Sequence, residues 1–206
     1  MNWRAPVLAL LLGLAAVPSA ATDAQASVSI AVTFDGLVRE TSLAAVVTPI
    51  EQRAYWENGR IYTYTRVSVD RVLAGGAADG AGAASDKPGE VWVRTMGGIV
   101  GKIGQAVDGE AVLIVGRPSL LFLHSGPPGA LEVTARGQGQ FPIVVDEKKA
   151  TRVIRAGNVG ALLQPKSRTT QATTPAALAA DVIHGRLLDD VARDVASAYK
   201  RLHATK

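Results

Sequence analysis

Residues 61–70, IYTYTRVSVD, alternate strictly between two kinds of side chain. One set is small or apolar and the other is aromatic or polar: Ile61, Thr63, Thr65, Val67 and Val69 against Tyr62, Tyr64, Arg66, Ser68 and Asp70. A period of two predicts a β-strand with one buried face. The Asn58-Gly59 pair before it predicts a two-residue hairpin turn, because both residues tolerate positive φ, so residues 43–56 are predicted to be the partner strand.

Further strand-forming runs follow at short spacing: EVWVRTM, AVLIVG, PSLLFLHS, LEVTARG and FPIVVD. Turns rich in Gly and Pro separate them, and no helical pattern lies between them, which argues against an α/β fold. Many short strands of this kind are typical of small antiparallel barrels and sandwiches. The sequence therefore predicts a mainly β fold, an antiparallel OB-like barrel, with a β-sandwich as the alternative.

Helical signals lie at both sides of this β region. Thr33 is a suitable N-cap for a short helix in TFDGLVRETS. Near the carboxy terminus, Thr174-Pro175 predicts a helix start, and apolar residues then recur at roughly helical spacing up to Leu202. Gly185 is predicted to kink or split this amphipathic tail. Two interpretations of its apolar stripe stay open, docking on the barrel or binding a partner.

The amino terminus has the pattern of a secretory signal peptide. One positive residue, Arg4, precedes an apolar run at residues 7–17, and small residues follow up to Ala26. A signal-anchor helix is the alternative, but the run is shorter than the roughly 20 residues that a bilayer span needs. We expect residues 1–26 to be a signal peptide, 27–157 the barrel, 158–174 a polar linker and 175–204 the helical tail, with no membrane span in the mature chain.

Composition limits the chemistry of this chain. It has no cysteine and three histidines, so disulfides, thiolate nucleophiles and cysteine metal sites are excluded. The adjacent His124 and Ser125 lack a nucleophile elbow, and neighbouring strand residues point to opposite faces. Four acids, Glu51, Asp70, Asp108 and Glu110, are candidates to meet on a barrel rim. We expect no catalytic residue, no metal and no cofactor.

The glycine-rich stretch RTMGGIVGKIGQ, residues 94–105, invites comparison with phosphate-binding loops. Ile103 follows Gly101-Lys102 where a P-loop needs Ser or Thr, and Met96 occupies the position of its first glycine. We therefore predict a mobile connection between the third and fourth strands, in which Gly98 takes positive φ and Lys102 is available for contact.

The outward side chains of the alternating strand form the second candidate binding region. Tyr62 and Tyr64 share a face with Arg66, close to Tyr55 on the partner strand, which predicts a flat binding patch if that face is exposed. The alternative is that the tail helix or the amino-terminal segment covers these aromatics. A basic cluster, Lys148, Lys149, Arg152 and Arg155, lies elsewhere, and an exported protein is not expected to bind nucleic acid.

Three segments in sequence, 67–75, 91–95 and 116–123, resemble the netrin-like modules and the tissue inhibitors of metalloproteinases. Those proteins have a valine-rich strand ending in glycine, a second strand and then an LLFL-type strand, all in an OB-fold barrel. The GG, LLFL and QG-x-F pattern is also similar to small exported bacterial β-barrel proteins. The resemblance covers roughly residues 44–145 and implies the fold. It does not imply metalloproteinase inhibition, because the animal inhibitors use an amino-terminal cysteine that this chain lacks.

Together these features predict an exported, non-catalytic binding or interaction module of the cell envelope or extracellular space, with another envelope or secreted protein as a candidate partner. Two alternatives stay open. One is a modulator of an exported protease, suggested by the netrin-like resemblance. The other is a hydrolase whose site the sequence does not reveal.

Overall fold

A long antiparallel hairpin forms the frame of the fold. Asn58 and Gly59 have φ of 50° and 76°, which confirms the predicted turn and the pairing of the strands on either side. The second strand buries Ile61, Thr65 and Val67, as the alternation predicts. These features come from a computed structural model that describes residues 28–76, 89–164 and 177–204.

Eleven strands and three helices follow one another along the described residues. In chain order the strands are β1 (Val28–Ile30), β2 (Leu43–Glu57), β3 (Arg60–Gly75), β4 (Glu90–Met96), β5 (Gly98–Val100), β6 (Ile103–Gln105), β7 (Ser119–Ser125), β8 (Leu131–Val133), β9 (Gln140–Val145), β10 (Thr151–Val153) and β11 (Ala161–Leu163). The helices are α1 (Phe34–Arg39), α2 (Ala179–Ile183) and α3 (Leu188–His203). The predicted signal peptide, most of the low-complexity loop after β3 and the predicted helix start at Thr174-Pro175 lie outside the described residues.

Five of these strands close into a barrel. Their order is β2-β3-β4-β8-β7, and β7 pairs back with β2. The protein is therefore mainly β with a small closed barrel, which confirms the OB-like prediction over the sandwich. One pairing departs from the predicted antiparallel sheet. β4 and β8 run parallel, with Val93 opposite Leu131 and Arg94 opposite Glu132.

Strand β7 separates two hydrophobic clusters. Leu121 and Leu123 point into the barrel interior, where they pack with side chains such as Val67. Leu120 and Phe122 point to the other side, into a cluster that the helices cover. All four β7 side chains are fully buried. The residues of this strand from Leu120 to Leu123 are all apolar because both faces of the strand are covered.

The helical tail docks on the barrel. Val191, Val195 and Ala198 of α3 are buried in the same cluster as Phe122 and Phe141. The docking interpretation of the apolar stripe is therefore the one observed for residues 177–204. Two ion pairs border this contact, Arg71 with Asp189 at 2.6 Å and Arg201 with Asp35 at 2.8 Å. Within the part of the chain that the structure describes, no helix has the length and apolar composition to cross a bilayer.

The smaller helix signals are confirmed. The Oγ1 atom of Thr33 accepts a hydrogen bond from the Gly36 backbone N–H at 3.1 Å and so caps α1. Gly185 has φ of 77° and separates α2 from α3. Residues 161–163 fall inside the segment predicted as a polar linker, but they form β11, which pairs in parallel with β1.

The prediction of a strand at AVLIVG, residues 111–116, is wrong. Ala111 and Leu113 are buried while Val112 is exposed, so the burial alternates as in a strand. Side chains hold most of this backbone, and one backbone hydrogen bond joins it to β2, from the Gly116 N–H to the Pro49 carbonyl at 2.8 Å. The Gln140 amide accepts from the Val112 N–H at 2.8 Å and donates to its carbonyl at 2.6 Å, and Gln52 donates to the Leu113 carbonyl. The alternating sequence pattern reflects which side chains are buried. Here the side chains of Gln52 and Gln140 supply hydrogen bonds that a neighbouring β-strand would otherwise make.

Candidate functional site

A grid of nine side chains covers the outside of strands β2, β3 and β4. The antiparallel registers place three side chains in each row: Glu51, Arg66 and Trp92, then Arg53, Tyr64 and Arg94, then Tyr55, Tyr62 and Met96. We call these nine residues the outer face. Cross-strand neighbours of this kind lie close enough to interact directly. The structure thus brings the predicted site residues Tyr62, Tyr64 and Arg66 together on the surface of the barrel.

Aromatic rings and guanidinium groups contact one another across the outer face. The Tyr55 and Tyr64 rings meet edge to face, with centroids 6.0 Å apart and planes inclined at 68°. The Arg94 guanidinium carbon lies 3.8 Å from the Tyr62 ring centroid, and that of Arg53 lies 5.7 Å from the Trp92 ring. Both arginine contacts are within the range of cation–π attraction. These contacts hold long side chains in fixed orientations.

Carboxylates neutralise the arginines of the outer face. Arg66 lies 3.2 Å from Glu51 and 2.7 Å from Glu90. Arg94 lies 3.4 Å from the carboxylates of both Glu57 and Glu132. A surface built to bind phosphate would leave guanidinium groups available for it. The ion pairs therefore favour a ligand other than nucleic acid.

Burial and a hydrogen bond to a carboxylate shift the pKa of one tyrosine of the outer face, Tyr64. Burial raises the pKa of Tyr64, and the hydrogen bond and negative charge of Glu57 raise it further. The Tyr64 hydroxyl therefore stays protonated and donates to that carboxylate. Its ring remains available to solvent on the side next to Tyr55 and Trp92, where these residues line a shallow cavity of about 200 Å³ with Arg53 and Gly129.

The docked tail leaves the outer face uncovered. Helix α3 packs near the far end of β3, where Leu73 and Ala74 join its cluster, whereas Tyr62 and Tyr64 lie near the start of that strand. Tyr55 is 47% exposed. The alternative in which the tail helix covers these aromatics is therefore not what the described residues show.

The other two predicted site residues lie on a small hairpin formed by β5 and β6. Gly98 has φ of 135°, and a Cβ atom there would lie 2.3 Å from the Thr63 hydroxyl. Close packing against β3 therefore requires a glycine at position 98. Lys102 is exposed at the hairpin turn and is not one of the nine outer-face residues.

The four acidic residues that were candidates to meet on a barrel rim, Glu51, Asp70, Asp108 and Glu110, do not form one cluster. Glu51 contacts Arg66, and Asp70 accepts a hydrogen bond from Thr48 at 2.6 Å. Only Asp108 and Glu110 line a common cavity. His124 contacts Thr134 and Glu132, 3.3 Å and 3.7 Å away. No group of three or more metal-ligating His, Cys, Asp or Glu side chains occurs in residues 28–76, 89–164 and 177–204.

A cavity of about 540 Å³ opens at one end of the barrel, between the β5–β6 hairpin and residues 106–113. We call it the mouth cavity. Glu110 lies at its wall and is only 7% exposed. Burial raises the pKa of the Glu110 carboxyl, while the Ala111 N–H and the Arg136 guanidinium lower it. Sequence reasoning named Glu110 as an acid but did not predict that it would be buried.

Sequence reasoning also left Trp92 and Arg94 out of the predicted patch. The signal was present, because EVWVRTM alternates as clearly as residues 61–70 do, with Val91, Val93 and Thr95 buried. The two side chains between them therefore had to point outward, next to those of β3.

Neither the models of known protein families nor the curated proteins give a match to this chain, and no solved structure gives one. The outer face and the mouth cavity are therefore interpreted from their own chemistry.

Proposed function

We propose that this protein is an exported, non-catalytic binding module that contacts a partner protein through the outer face. The observation that supports this most directly is the three-by-three grid of mainly aromatic and arginine side chains on β2, β3 and β4, in which Arg53 and Tyr55 are exposed and the others half-buried. Export remains part of the proposal and rests on the composition of residues 1–26.

The residue types on the outer face suit a protein partner. Tyrosine, tryptophan and arginine are the side chains that most often dominate the binding energy of protein interfaces. Five of its nine side chains are aromatic or carry a thioether: Tyr55, Tyr62, Tyr64, Trp92 and Met96. Its arginines are already paired with glutamates. Such a surface presents flat apolar area with polar edges.

The contacts within the outer face also reduce the entropic cost of binding. Ordering a free, flexible side chain at an interface costs roughly 0.5–1.5 kcal/mol. Arg94 is already fixed between Glu57, Glu132 and the Tyr62 ring. The ionisable groups hold one another in place, which suits a rigid contact surface better than proton transfer to a substrate.

Site-specific photocrosslinking tests this proposal. p-Benzoylphenylalanine replaces the exposed Tyr55 in the full chain, and in a control it replaces Val145 on β9, which is 67% exposed. Both proteins are irradiated in the envelope and secreted fractions of the source organism. We expect one adduct of defined mass from position 55 and none from position 145. The same adducts from both positions, or none from position 55, would contradict the proposal.

Affinity measurements with the purified adduct partner complete the test. Tyr55→Ala and Trp92→Ala should each weaken binding by about tenfold or more, as expected for interface anchors. Arg193→Ala, on the exposed side of α3, is the control and should bind like the wild type. Equal affinities of all four proteins would show that the outer face is not the contact surface.

A further inference from the structure

The mouth cavity adjoins the outer face at Met96, and the rest of its lining is distinct. Five glycines, Gly97, Gly98, Gly109, Gly157 and Gly160, form much of its wall, so backbone replaces side chains there. Apolar contact comes from Val107 and Leu113. A volume of about 540 Å³ is that of a site for a small organic molecule. The mouths of β-barrels are a common place for such sites.

The charges of the mouth cavity are of one sign. The ionisable residues of its lining are Asp108 and Glu110, and among the described residues it includes no lysine, arginine or histidine. Asp108 is exposed at the rim, whereas Glu110 is more than nine-tenths buried. A cation entering this cavity would therefore meet one solvated and one desolvated carboxylate.

Glu110 has backbone donors within the protein but no cation at hydrogen-bond distance. One carboxylate oxygen accepts the Ala111 N–H at 3.2 Å, and the Met96 backbone N–H also donates to the carboxylate. The other lies 3.9 Å from Nε of Arg136, which is beyond hydrogen-bond distance. Arg136 and the nearby Glu132 line a second cavity of about 370 Å³, and Glu110 separates the two. A buried carboxylate is stable in its charged form only when a cation or several donors approach it.

We propose that the mouth cavity binds a small organic cation through its ammonium group, with Glu110 as the buried counter-ion and Asp108 at the entrance. The ammonium group supplies donors to the Glu110 carboxylate that Arg136 does not supply from 3.9 Å. The carbon chain of the ligand lies against Val107 and Leu113, and the glycines leave room for it. This site does not depend on the proposed partner of the outer face.

The glycine amides of the cavity wall make the proposal measurable by nuclear magnetic resonance. The ¹⁵N-labelled protein is titrated with n-butylammonium, and 1-butanol and butyrate serve as the neutral and anionic ligands of matched shape. We expect saturable shifts of the lining glycine amides with n-butylammonium. The neutral and anionic ligands should bind about tenfold or more weakly, because each lacks the charge-assisted hydrogen bond.

Two variants connect the binding to the carboxylates. Glu110→Gln keeps the shape of the side chain and should weaken the binding of n-butylammonium by about tenfold or more. Asp108→Asn changes an exposed residue, so it keeps the fold and should weaken binding by a smaller factor. Glu40→Gln, on the surface after α1, removes the same charge and should bind like the wild type.

Three results would overturn the proposal. The first is equal binding of n-butylammonium and 1-butanol, which would show that the cavity selects shape and not charge. The second is unchanged affinity in both Glu110→Gln and Asp108→Asn. The third is the absence of saturable shifts at the lining glycines.

Discussion

The Arg94 guanidinium carbon lies over the Tyr62 ring on the neighbouring strand of the barrel, 3.8 Å from the ring centroid. Glu57 and Glu132 approach the same guanidinium at 3.4 Å each. Arg94 also lies where β4 pairs with β8, opposite Glu132. One side chain therefore supports both the outer face and the closure of the barrel.

Replacing Arg94 should destabilise the protein. Arg94→Ala leaves two partly buried glutamates without their cation, so we expect a loss of about 2 kcal/mol in the free energy of unfolding, measured by urea denaturation. Arg53→Ala is the comparison, because Arg53 is largely exposed and should cost under about 1 kcal/mol. Equal losses in both variants would show that the burial of Arg94 has no special effect.

Gly98 should tolerate no side chain. Gly98→Ala forces a Cβ atom against the Thr63 hydroxyl at positive φ, and we expect a loss of about 2 kcal/mol or more in thermal or chemical denaturation. Gly104→Ala in the same hairpin is the matched control. A Cβ atom at Gly104 makes only ordinary contact with Ile99, 3.7 Å away, so its stability should stay within about 0.5 kcal/mol of the wild type. A neutral Gly98→Ala would be inconsistent with the packing described.

The tail should contribute to the stability of the whole domain. Val195 is fully buried between α3 and the barrel, and Val195→Ala should cost about 2 kcal/mol through lost burial and the cavity left behind. Arg193→Ala, two residues earlier on the exposed side, should change the stability by under about 0.5 kcal/mol. Fluorescence and circular dichroism should report one coincident transition. Separate transitions for helix and barrel would show that the tail is an independent unit.

Glu110 should make stability depend on pH. Burial in the folded state raises the pKa of its carboxyl above the usual value, with Glu132 adding to the rise and the Ala111 and Met96 N–H groups and Arg136 opposing it. The folded protein therefore holds this proton more tightly than the unfolded chain does, and the contribution of Glu110 to stability falls as the pH rises through the folded pKa. Glu110→Gln removes this loss.

Urea denaturation from about pH 4 to about pH 8 measures the effect. The stability of Glu110→Gln relative to the wild type should increase with pH over that range, and Glu40→Gln should show no such trend. A difference that decreases with pH would mean that the folded state lowers the pKa of Glu110.

Local patterns in the sequence were sufficient to predict much of the fold and part of the site. The Asn58-Gly59 turn, the Thr33 cap and the break at Gly185 each depend on the conformational preferences of a few adjacent residues. The outward direction of Tyr62 and Tyr64 follows from the strand period alone.

Other features depend on contacts between distant segments, which local patterns do not contain. The run at residues 111–116 alternates like a strand, but Gln140 holds its backbone from 28 positions away. The surroundings of Glu110 likewise come from distant segments, since Arg136 and Asn158 approach it from later parts of the chain. From a single sequence, it is easier to predict which side chains are buried than to predict which other segments cover them.

The packing of strand β7 has a consequence for the stage of synthesis at which the chain can complete its folding. Its alternate side chains belong to two clusters, and the one that contains Leu120 and Phe122 is covered by residues 179–198. The ribosome makes the chain from its amino terminus, so the cluster around these two side chains stays incomplete until the last helix has been synthesised. A nascent chain that stops before α3 would expose a hydrophobic wall, and such exposed surface favours aggregation and chaperone binding. The native state is therefore reached only after synthesis has passed α3.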